Sequence, residues 1–239
     1  MVPPERISHI NEGDSEILGK LFFKHFVEVG GLKNSDRVLD VGSGFGRMAV
    51  PLTRFLNTDS HYEGIEIIAR AADWCTKKIT SRHPNFRFQK IDVLNHRYNP
   101  KGTVDASVFK FPFETESFDF VILTSVFTHM LPEDLKNYLS EISRVLKTGG
   151  TCFITYFLLN ESSLDLIKKK KSHFKLEYSF ENCRIESQDD PEHAIAYPEN
   201  EVRDFYEKNK IAIKSVHYGN WSGRVDALDF QDIVIGERK

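Results

Sequence analysis

The sequence predicts an α/β fold, a mostly parallel and doubly wound β-sheet with helices on both faces. Two observations lead to this prediction. Short apolar runs alternate with segments of helical periodicity, and the first apolar run leads straight into a glycine-rich turn. Repeated strand–helix units imply parallel strands joined by right-handed crossovers. A strand, a tight glycine turn and a helix N-terminus in succession are typical of the place where open α/β sheets hold a nucleotide-like ligand.

The glycine-rich turn spans residues 40–46, Asp-Val-Gly-Ser-Gly-Phe-Gly, directly after the apolar residues Val38 and Leu39. Glycine permits backbone angles that other residues avoid, and it lets a ligand approach the main chain. A dinucleotide fingerprint would place its third glycine at position 47, where this chain has Arg47. Because the carboxylate of Asp40 would repel a pyrophosphate, the turn favours a ligand that carries a cationic or amino group.

A second strand, predicted over residues 61–66, ends in Glu66, about twenty residues after the turn. A carboxylate at this place can accept hydrogen bonds from two ribose hydroxyls. The sequence therefore predicts an acidic side chain at the end of each of the first two strands.

The other elements follow from periodicity and turn residues. After an irregular lead over residues 1–12, apolar residues at spacings of three and four predict a helix over residues 14–30. Strands are predicted over residues 37–41, 61–66, 86–91, 118–124, 151–157, 211–217 and 229–235. Helices are predicted over residues 45–56, 68–82, 132–146 and 198–209.

Two segments exceed a minimal alternating core. Residues 95–103 lengthen the loop after the third strand, and residues 158–197 form an insert after the fifth. The insert pattern predicts a short helix over residues 161–171 and then a hairpin, with its strands in residues 174–180 and 183–187. Inserts at the carboxyl ends of strands overhang the ligand cleft, so the second insert is expected to be a substrate lid.

Composition predicts one domain over residues 1–239, with residues 1–35 as an N-terminal helical segment. Hydrophobic residues make up 40% of the chain and charged residues 28%, which is ordinary for a soluble globular protein. The net charge of −3 disfavours a dedicated polyanion binder. Three scattered cysteines lack metal-ligand spacing, so no metal is expected. Their sparse, odd number suits a reducing compartment. The sequence has no long apolar run, and we expect a cytoplasmic protein without a membrane partner.

Five motifs in order, over roughly residues 36–157, resemble those of class I S-adenosylmethionine-dependent methyltransferases. They are residues 40–46, Glu66, Asp92, residues 118–123 and residues 144–150, the last with Thr148 where proline is usual. The resemblance implies a Rossmann-like methyltransferase fold of seven strands, the last antiparallel beside the fifth. It also implies S-adenosylmethionine as cofactor and S-adenosylhomocysteine as product.

The tail of the chain narrows the resemblance. The long insert, residues 127–130 (Phe-Thr-His-Met) and residues 219–224 resemble those of bacterial small-molecule methyltransferases. The implied reaction is in-line transfer of a methyl group to an oxygen or nitrogen of a small-molecule acceptor. The sequence leaves the acceptor itself and the oligomeric state open.

The resemblance also assigns cofactor contacts to twelve residues: Asp40, Gly42, Ser43, Gly44, Gly46, Arg47, Glu66, Ile67, Asp92, Val93, Thr124 and Ser125. It implies that the glycines admit the methionine end, that Asp40 faces its ammonium group and that Glu66 accepts from the ribose. Ile67, Asp92 and Val93 would surround the adenine, with the Asp105–Ala106 pair as the rival of Asp92. Thr124 and Ser125 would face the methyl region, and Arg47 either pairs with an acidic neighbour or contacts the cofactor carboxylate.

Three histidines are candidates for a base or a substrate ligand, because the ordinary pKa of histidine lies near 6.5. His129 follows the fourth strand, His193 lies in the insert, and His217 ends the sixth strand.

Three alternatives remain beside this hypothesis. An NAD(P)-dependent oxidoreductase is disfavoured by Arg47 and by the lack of a Ser/Tyr-x-x-x-Lys-type active site. A nucleic-acid methyltransferase is disfavoured by net charge and by the lack of an Asn-Pro-Pro-Tyr-like or Pro-Cys motif after the fourth strand. An inactive cofactor-binding regulatory subunit stays open, because methyl transfer requires no obligatory catalytic side chain.

Overall fold

The structure is a computed structural model that describes residues 12–239, so most of the lead over residues 1–12 lies outside the described part. Its strands are β1 (Val38–Val41), β2 (Tyr62–Glu66), β3 (Phe86–Lys90), β4 (Phe118–Leu123), β5 (Leu146–Tyr156), β6 (Leu158–Leu159), β7 (Tyr178–Phe180), β8 (Cys183–Ile185), β9 (Ile195–Pro198), β10 (Ile211–His217) and β11 (Asp232–Arg238). Its α-helices are α1 (Glu12–Glu28), α2 (Ala49–Leu52), α3 (Ala69–Cys75), α4 (Pro132–Val145), α5 (Glu161–Lys168) and α6 (Glu199–Lys208).

The central sheet has seven strands in the order β10-β11-β5-β4-β1-β2-β3. Strands β1 to β5 pair in parallel, whereas β11 runs antiparallel to both β5 and β10. This arrangement confirms the predicted doubly wound fold, including the antiparallel place of the last strand beside the fifth.

The core lies on both faces of this sheet, as the alternation of side chains along β4 requires. Val121 and Leu123 belong to one apolar cluster, which α4 covers. Phe120 and Ile122 face the other cluster, where α1 packs Phe26 edge-on against Phe153 with ring centroids 4.9 Å apart. Burial on both faces explains why β1 is an unbroken buried strand.

Several element boundaries differ from the predicted ones. The helix predicted over residues 45–56 is α-helical only over α2. Pro51 lies in its first turn, where the missing N–H is tolerated, and the turn after it tightens, with Phe55 N–H donating to the Leu52 carbonyl at 3.0 Å. The helix predicted over residues 68–82 is α-helical only over α3, and a π-helical turn, Thr76–Thr80, follows it directly. Strand β5 begins five residues early, because Leu146 already pairs with Phe118.

The insert after β5 forms a second, four-stranded sheet in the order β6-β9-β8-β7. The predicted hairpin is present as the antiparallel pair β7–β8, although both strands are shorter than predicted. Helix α5 begins with a capping box between Asn160 and Ser163.

A buried carboxylate joins the insert to the central sheet. Asp232 accepts hydrogen bonds from the N–H groups of Leu158 and Gly219 and from Trp221 Nε1, at 2.6 to 2.7 Å. These contacts fix where the insert begins, but the role of the insert as a lid stays a prediction. Within residues 12–239, no helix has the length and apolar character needed to span a bilayer.

Candidate active site

A cavity of about 250 Å³ opens at the carboxyl ends of β1, β2, β3 and β4. The topology brings together side chains that are distant in sequence, because the ends of neighbouring parallel strands meet at one edge of the sheet. Nine of the predicted site residues line the cavity: Gly42, Gly44, Arg47, Glu66, Ile67, Val93, Thr124, Ser125 and His129.

The glycine-rich turn forms one wall, and its shape requires glycine. Gly42, Gly44 and Gly46 have φ angles of +78°, +52° and +71°, in the left-handed region that favours glycine. A Cβ atom at Gly42 would lie 2.5 Å from Val126 Cγ2, whereas one at Gly44 would meet no atom within 4 Å. The backbone at Gly44 therefore has open space beside it, at the wall of the cavity.

Glu66 fixes the turn from the neighbouring strand. Its Oε2 accepts from Gly44 N–H at 2.6 Å, and its Oε1 accepts from Ile68 N–H at 2.7 Å. Each carboxylate oxygen keeps accepting capacity for a further donor. Burial raises the pKa of Glu66, and the backbone N–H groups of Ile68, Gly44 and Ile67 oppose that rise.

Asp40 lies beneath the turn and is fully buried. Its Oδ2 accepts from the Tyr62 hydroxyl, but its Oδ1 has no hydrogen-bond partner among the described residues. Burial raises the pKa of Asp40 to about 7, although the Tyr62 hydrogen bond favours the charged form. A buried acceptor without a donor is costly, and a ligand donor would relieve that cost.

Arg47 stands where the turn meets the helical segment and lines the cavity. It also lines a second groove against α1, beside Gly19 and Phe23. Burial lowers the pKa of Arg47, and the carboxylates of Asp40 and Asp229 oppose that change. Both predicted roles for Arg47 thus find neighbours here, an acidic pair on one side and the cavity on the other.

The end of β4 supplies the opposite wall. Ser125 has a φ of +56°. Its N–H donates to Thr155 Oγ1 at 2.8 Å, and its hydroxyl donates to Gln231 Oε1 at 3.0 Å. These two contacts anchor Ser125 to β5 and to the residue before β11.

Six predicted site residues do not line the cavity. Asp40 lies beneath the turn, and Ser43 and Gly46 belong to the turn itself. Asp92, His193 and His217 lie elsewhere. The carboxylate of Asp92 accepts from Thr103 Oγ1 at 2.7 Å, which lowers its pKa.

In the rival pair Asp105–Ala106, the aspartate is also absent from the cavity wall. Asp105 caps the short helix Ala106–Val108 by accepting from Ser107 N–H at 2.8 Å. Val93 and Ala106 do line the cavity. The contact of Asp92 with an adenine stays a prediction.

Sequence reasoning missed four polar residues of the cavity wall: Asn95, Tyr98, Asp134 and Tyr138. Asp134 and Tyr138 share one face of α4, as their spacing of four residues could have indicated. Burial raises the pKa of Asp134 to about 6. Asn95 and Tyr98 belong to the lengthened loop after β3, whose excess length was the available signal.

His129 lies at the end of the cavity away from the glycine-rich turn. Its Nδ1 is 2.8 Å from the Glu192 carbonyl oxygen, and its Nε2 is 3.5 Å from the Tyr98 hydroxyl. Burial lowers the pKa of His129. Another histidine predicted as a base or substrate ligand, His193, does not line the cavity and packs edge-on against Phe174 with ring centroids 6.4 Å apart.

Within residues 12–239 no group of three or more histidine, cysteine, aspartate or glutamate side chains could hold a metal ion. The three cysteines are all free and buried.

Comparison with known proteins matches residues 39–154 to the family model described as a methyltransferase domain. The mouse arsenite methyltransferase is 29% identical over 137 residues, which are 57% of this chain and 34% of that protein. The alignment thus spans only about a third of the mouse protein's length.

Two solved structures share the fold. The PH0226 protein of Pyrococcus horikoshii superposes with a TM-score of 0.64 at 17% identity, covering 98% of each chain. The 1,6-didemethyltoxoflavin-N1-methyltransferase of Burkholderia thailandensis, solved with its acceptor and S-adenosylhomocysteine bound, gives a TM-score of 0.58 at 13% identity. That match covers 94% of this chain and 78% of the other.

Proposed function

Because the chain belongs to the class I S-adenosylmethionine-dependent methyltransferases, we propose that it transfers a methyl group to an oxygen or nitrogen of a small-molecule acceptor. The proposal rests on the cavity that the glycine-rich turn and Glu66 line. It rests also on Asp40 Oδ1 beneath that turn, which has no hydrogen-bond partner among the described residues. S-adenosylmethionine, when bound, supplies an electrophilic methyl group on a sulfonium.

The residues around the cavity suit the two polar ends of this cofactor. The open backbone at Gly44 admits the amino-acid end, Asp40 offers an acceptor for the ammonium group, and Arg47 offers a cation for the carboxylate. Glu66 retains accepting capacity for the ribose hydroxyls. Ile67 and Val93 offer apolar walls for the adenine.

The chain's own contribution to the reaction is position and exclusion of water. Holding two reactants in line can supply about 7–11 kcal/mol of the barrier. Apolar side chains line about half of the cavity, among them Ile65, Ile91 and Met130. Such walls limit competing attack by water.

A small molecule is the acceptor class that the site favours. The cavity of about 250 Å³ is lined by the strand ends and, from the loop over residues 95–103, by Asn95 and Tyr98. The net charge of −3 disfavours a polyanionic acceptor. The Burkholderia neighbour is named for a small heterocyclic acceptor.

Arsenite, for which the mouse relative is named, fits this chain poorly. Arsenic(III) binds thiolates, and no cysteine lines the cavity. Burial also raises the pKa values of Cys152 and Cys183 to about 12. Free, scattered cysteines agree with the proposed cytoplasmic location.

Turnover tests the activity directly. The protein is incubated with S-adenosylmethionine and a panel of phenols, amines, sugars and carboxylates, and S-adenosylhomocysteine is quantified. The proposal expects product that depends on one acceptor class. Tight binding of S-adenosylhomocysteine without turnover on any acceptor would favour a regulatory subunit instead.

A further inference from the structure

Both segments that exceed the minimal core converge on one histidine. From the loop over residues 95–103, Tyr98 packs edge-on against His129 with ring centroids 5.4 Å apart. From the same loop, Asn95 Nδ2 donates to the His129 carbonyl at 3.2 Å. From the insert over residues 158–197, the Glu192 carbonyl lies 2.8 Å from His129 Nδ1.

The two segments are also tied to each other beside His129. The Glu192 carboxylate accepts from Arg97 N–H at 3.1 Å, and the Arg97 guanidinium pairs with Asp190. The backbone carbonyl of Glu192 therefore contacts His129, and its carboxylate contacts the loop. This arrangement leaves the ring of His129 little freedom to turn.

The contacts decide which ring nitrogen carries the proton. A backbone carbonyl can only accept, so Nδ1 carries the hydrogen that is donated to Glu192. A neutral imidazole then has its lone pair on Nε2. Tyr98 is the polar neighbour of Nε2, and at 3.5 Å its hydroxyl is too distant for a strong hydrogen bond.

The charges around the ring favour the neutral form. Burial is the largest cause of the lowered pKa of His129, and the charges of Arg97 and His193 act in the same direction. The backbone groups of Glu192 and His193 oppose that change. The nearby carboxylate of Glu192 is engaged by Arg97, while Asp134 of α4 lines the same cavity.

We propose that His129 Nε2 receives the proton of a hydroxyl acceptor that binds in the cavity beside His129 and Tyr98, with the Glu192 carbonyl as the group that positions the ring. The inference rests on the proposed function and narrows its acceptor to an uncharged hydroxyl compound. A neutral amine can attack with its own lone pair, whereas a hydroxyl is a weak nucleophile until a base removes its proton.

The step balances without a further reactant. The acceptor oxygen forms the new bond to the methyl carbon, and the electron pair of the broken carbon–sulfur bond stays on sulfur. The hydroxyl proton moves to Nε2 and then to solvent. The products are a methyl ether, S-adenosylhomocysteine and one proton.

Nitrogen NMR of the wild-type protein tests the inference without turnover. With S-adenosylhomocysteine bound, we expect His129 to carry its hydrogen on Nδ1. Adding phenol as the hydroxyl probe should then shift the Nε2 resonance as that nitrogen accepts a hydrogen bond. A hydrogen on Nε2, or no response of Nε2 to the probe, would overturn the proposal.

Kinetics with two matched probes separates a base from a structural histidine. The thiol of thiophenol is largely ionised near neutral pH, whereas the hydroxyl of phenol stays protonated there and benefits from a base. We expect His129→Gln to lower methylation of phenol by about 10²-fold or more while methylation of thiophenol stays near the wild-type rate. Equal losses on both probes would contradict the base role.

The matched control is His217→Gln, since His217 lies on β10 and bonds to Ser215 Oγ at 3.0 Å, outside the cavity. It should methylate both probes as the wild type does. Calorimetry with S-adenosylhomocysteine on the same samples distinguishes the two proposals. Failure to bind S-adenosylhomocysteine would contradict the proposed function. Binding without a response of His129 Nε2 to the hydroxyl probe would contradict only this inference.

Discussion

Asp40 illustrates how much a single side chain can contribute to binding before any ligand is present. Its carboxylate is buried with one oxygen bonded by Tyr62 and the other without a partner among the described residues. The sequence indicated its place at a strand end. It could not indicate the Tyr62 hydrogen bond or the half-satisfied state, because both arise from the pairing of β1 with β2.

Protonation of Asp40 should couple to cofactor binding. Burial holds its pKa at about 7 in the free protein, and an ammonium group favours the ionised carboxylate. Affinity for S-adenosylhomocysteine should therefore fall as the pH drops below about 7, by up to about tenfold per pH unit. Calorimetry in buffers of different ionisation enthalpy should detect release of up to one proton.

The comparison variant is Asp40→Asn, which keeps the shape of the side chain but cannot titrate. It should bind more weakly, and its affinity should change little over the same pH range. A wild-type affinity that is constant below pH 7 would show that Asp40 does not meet the ammonium group.

At the scale of elements, the glycine-rich turn was predictable and the helix after it was not. The spacing of the glycines indicated the sharp turn. Glu66 was expected beside it because Glu66 ends the second predicted strand, about twenty residues after the turn. The helix periodicity continued to residue 56, but α2 spans only four residues and a tighter turn follows it. The contact of Glu66 with Gly44 N–H depends on strand pairing, which no local pattern shows.

Two glycines provide a matched test of the turn. Gly31 and Gly44 both have positive φ angles, and an added Cβ would meet no atom within 4 Å at either one. Only Gly44 lines the cavity. We expect Gly31→Ala and Gly44→Ala to lower the free energy of unfolding by a similar amount, about 1 kcal/mol.

Only the Gly44→Ala variant should also lose affinity for S-adenosylhomocysteine, by about tenfold or more. Denaturant unfolding and calorimetry measure the two effects separately. Equal affinities in both variants would mean that the ligand does not approach the backbone at Gly44.

At the scale of the whole molecule, alternation of strands and helices predicted the sheet, and the family resemblance predicted the antiparallel last strand. The two inserted segments were recognised as excess length, yet their meeting at His129 was not visible in the sequence. That contact joins residues 98, 129 and 192, which lie on three separate connections. Long-range contacts of this kind follow from the order of the strands and from the second sheet.

The central claim is that S-adenosylhomocysteine binds between the glycine-rich turn and Glu66. Calorimetry of the wild type with S-adenosylhomocysteine and with NAD, alongside Glu66→Gln and Glu63→Gln, tests it most directly. Glu63 is the matched carboxylate on the same strand, away from the cavity. The account predicts binding of S-adenosylhomocysteine but not of NAD, a loss of about tenfold or more in Glu66→Gln, and wild-type affinity in Glu63→Gln. Binding of NAD alone, or equal affinity in both variants, would contradict it.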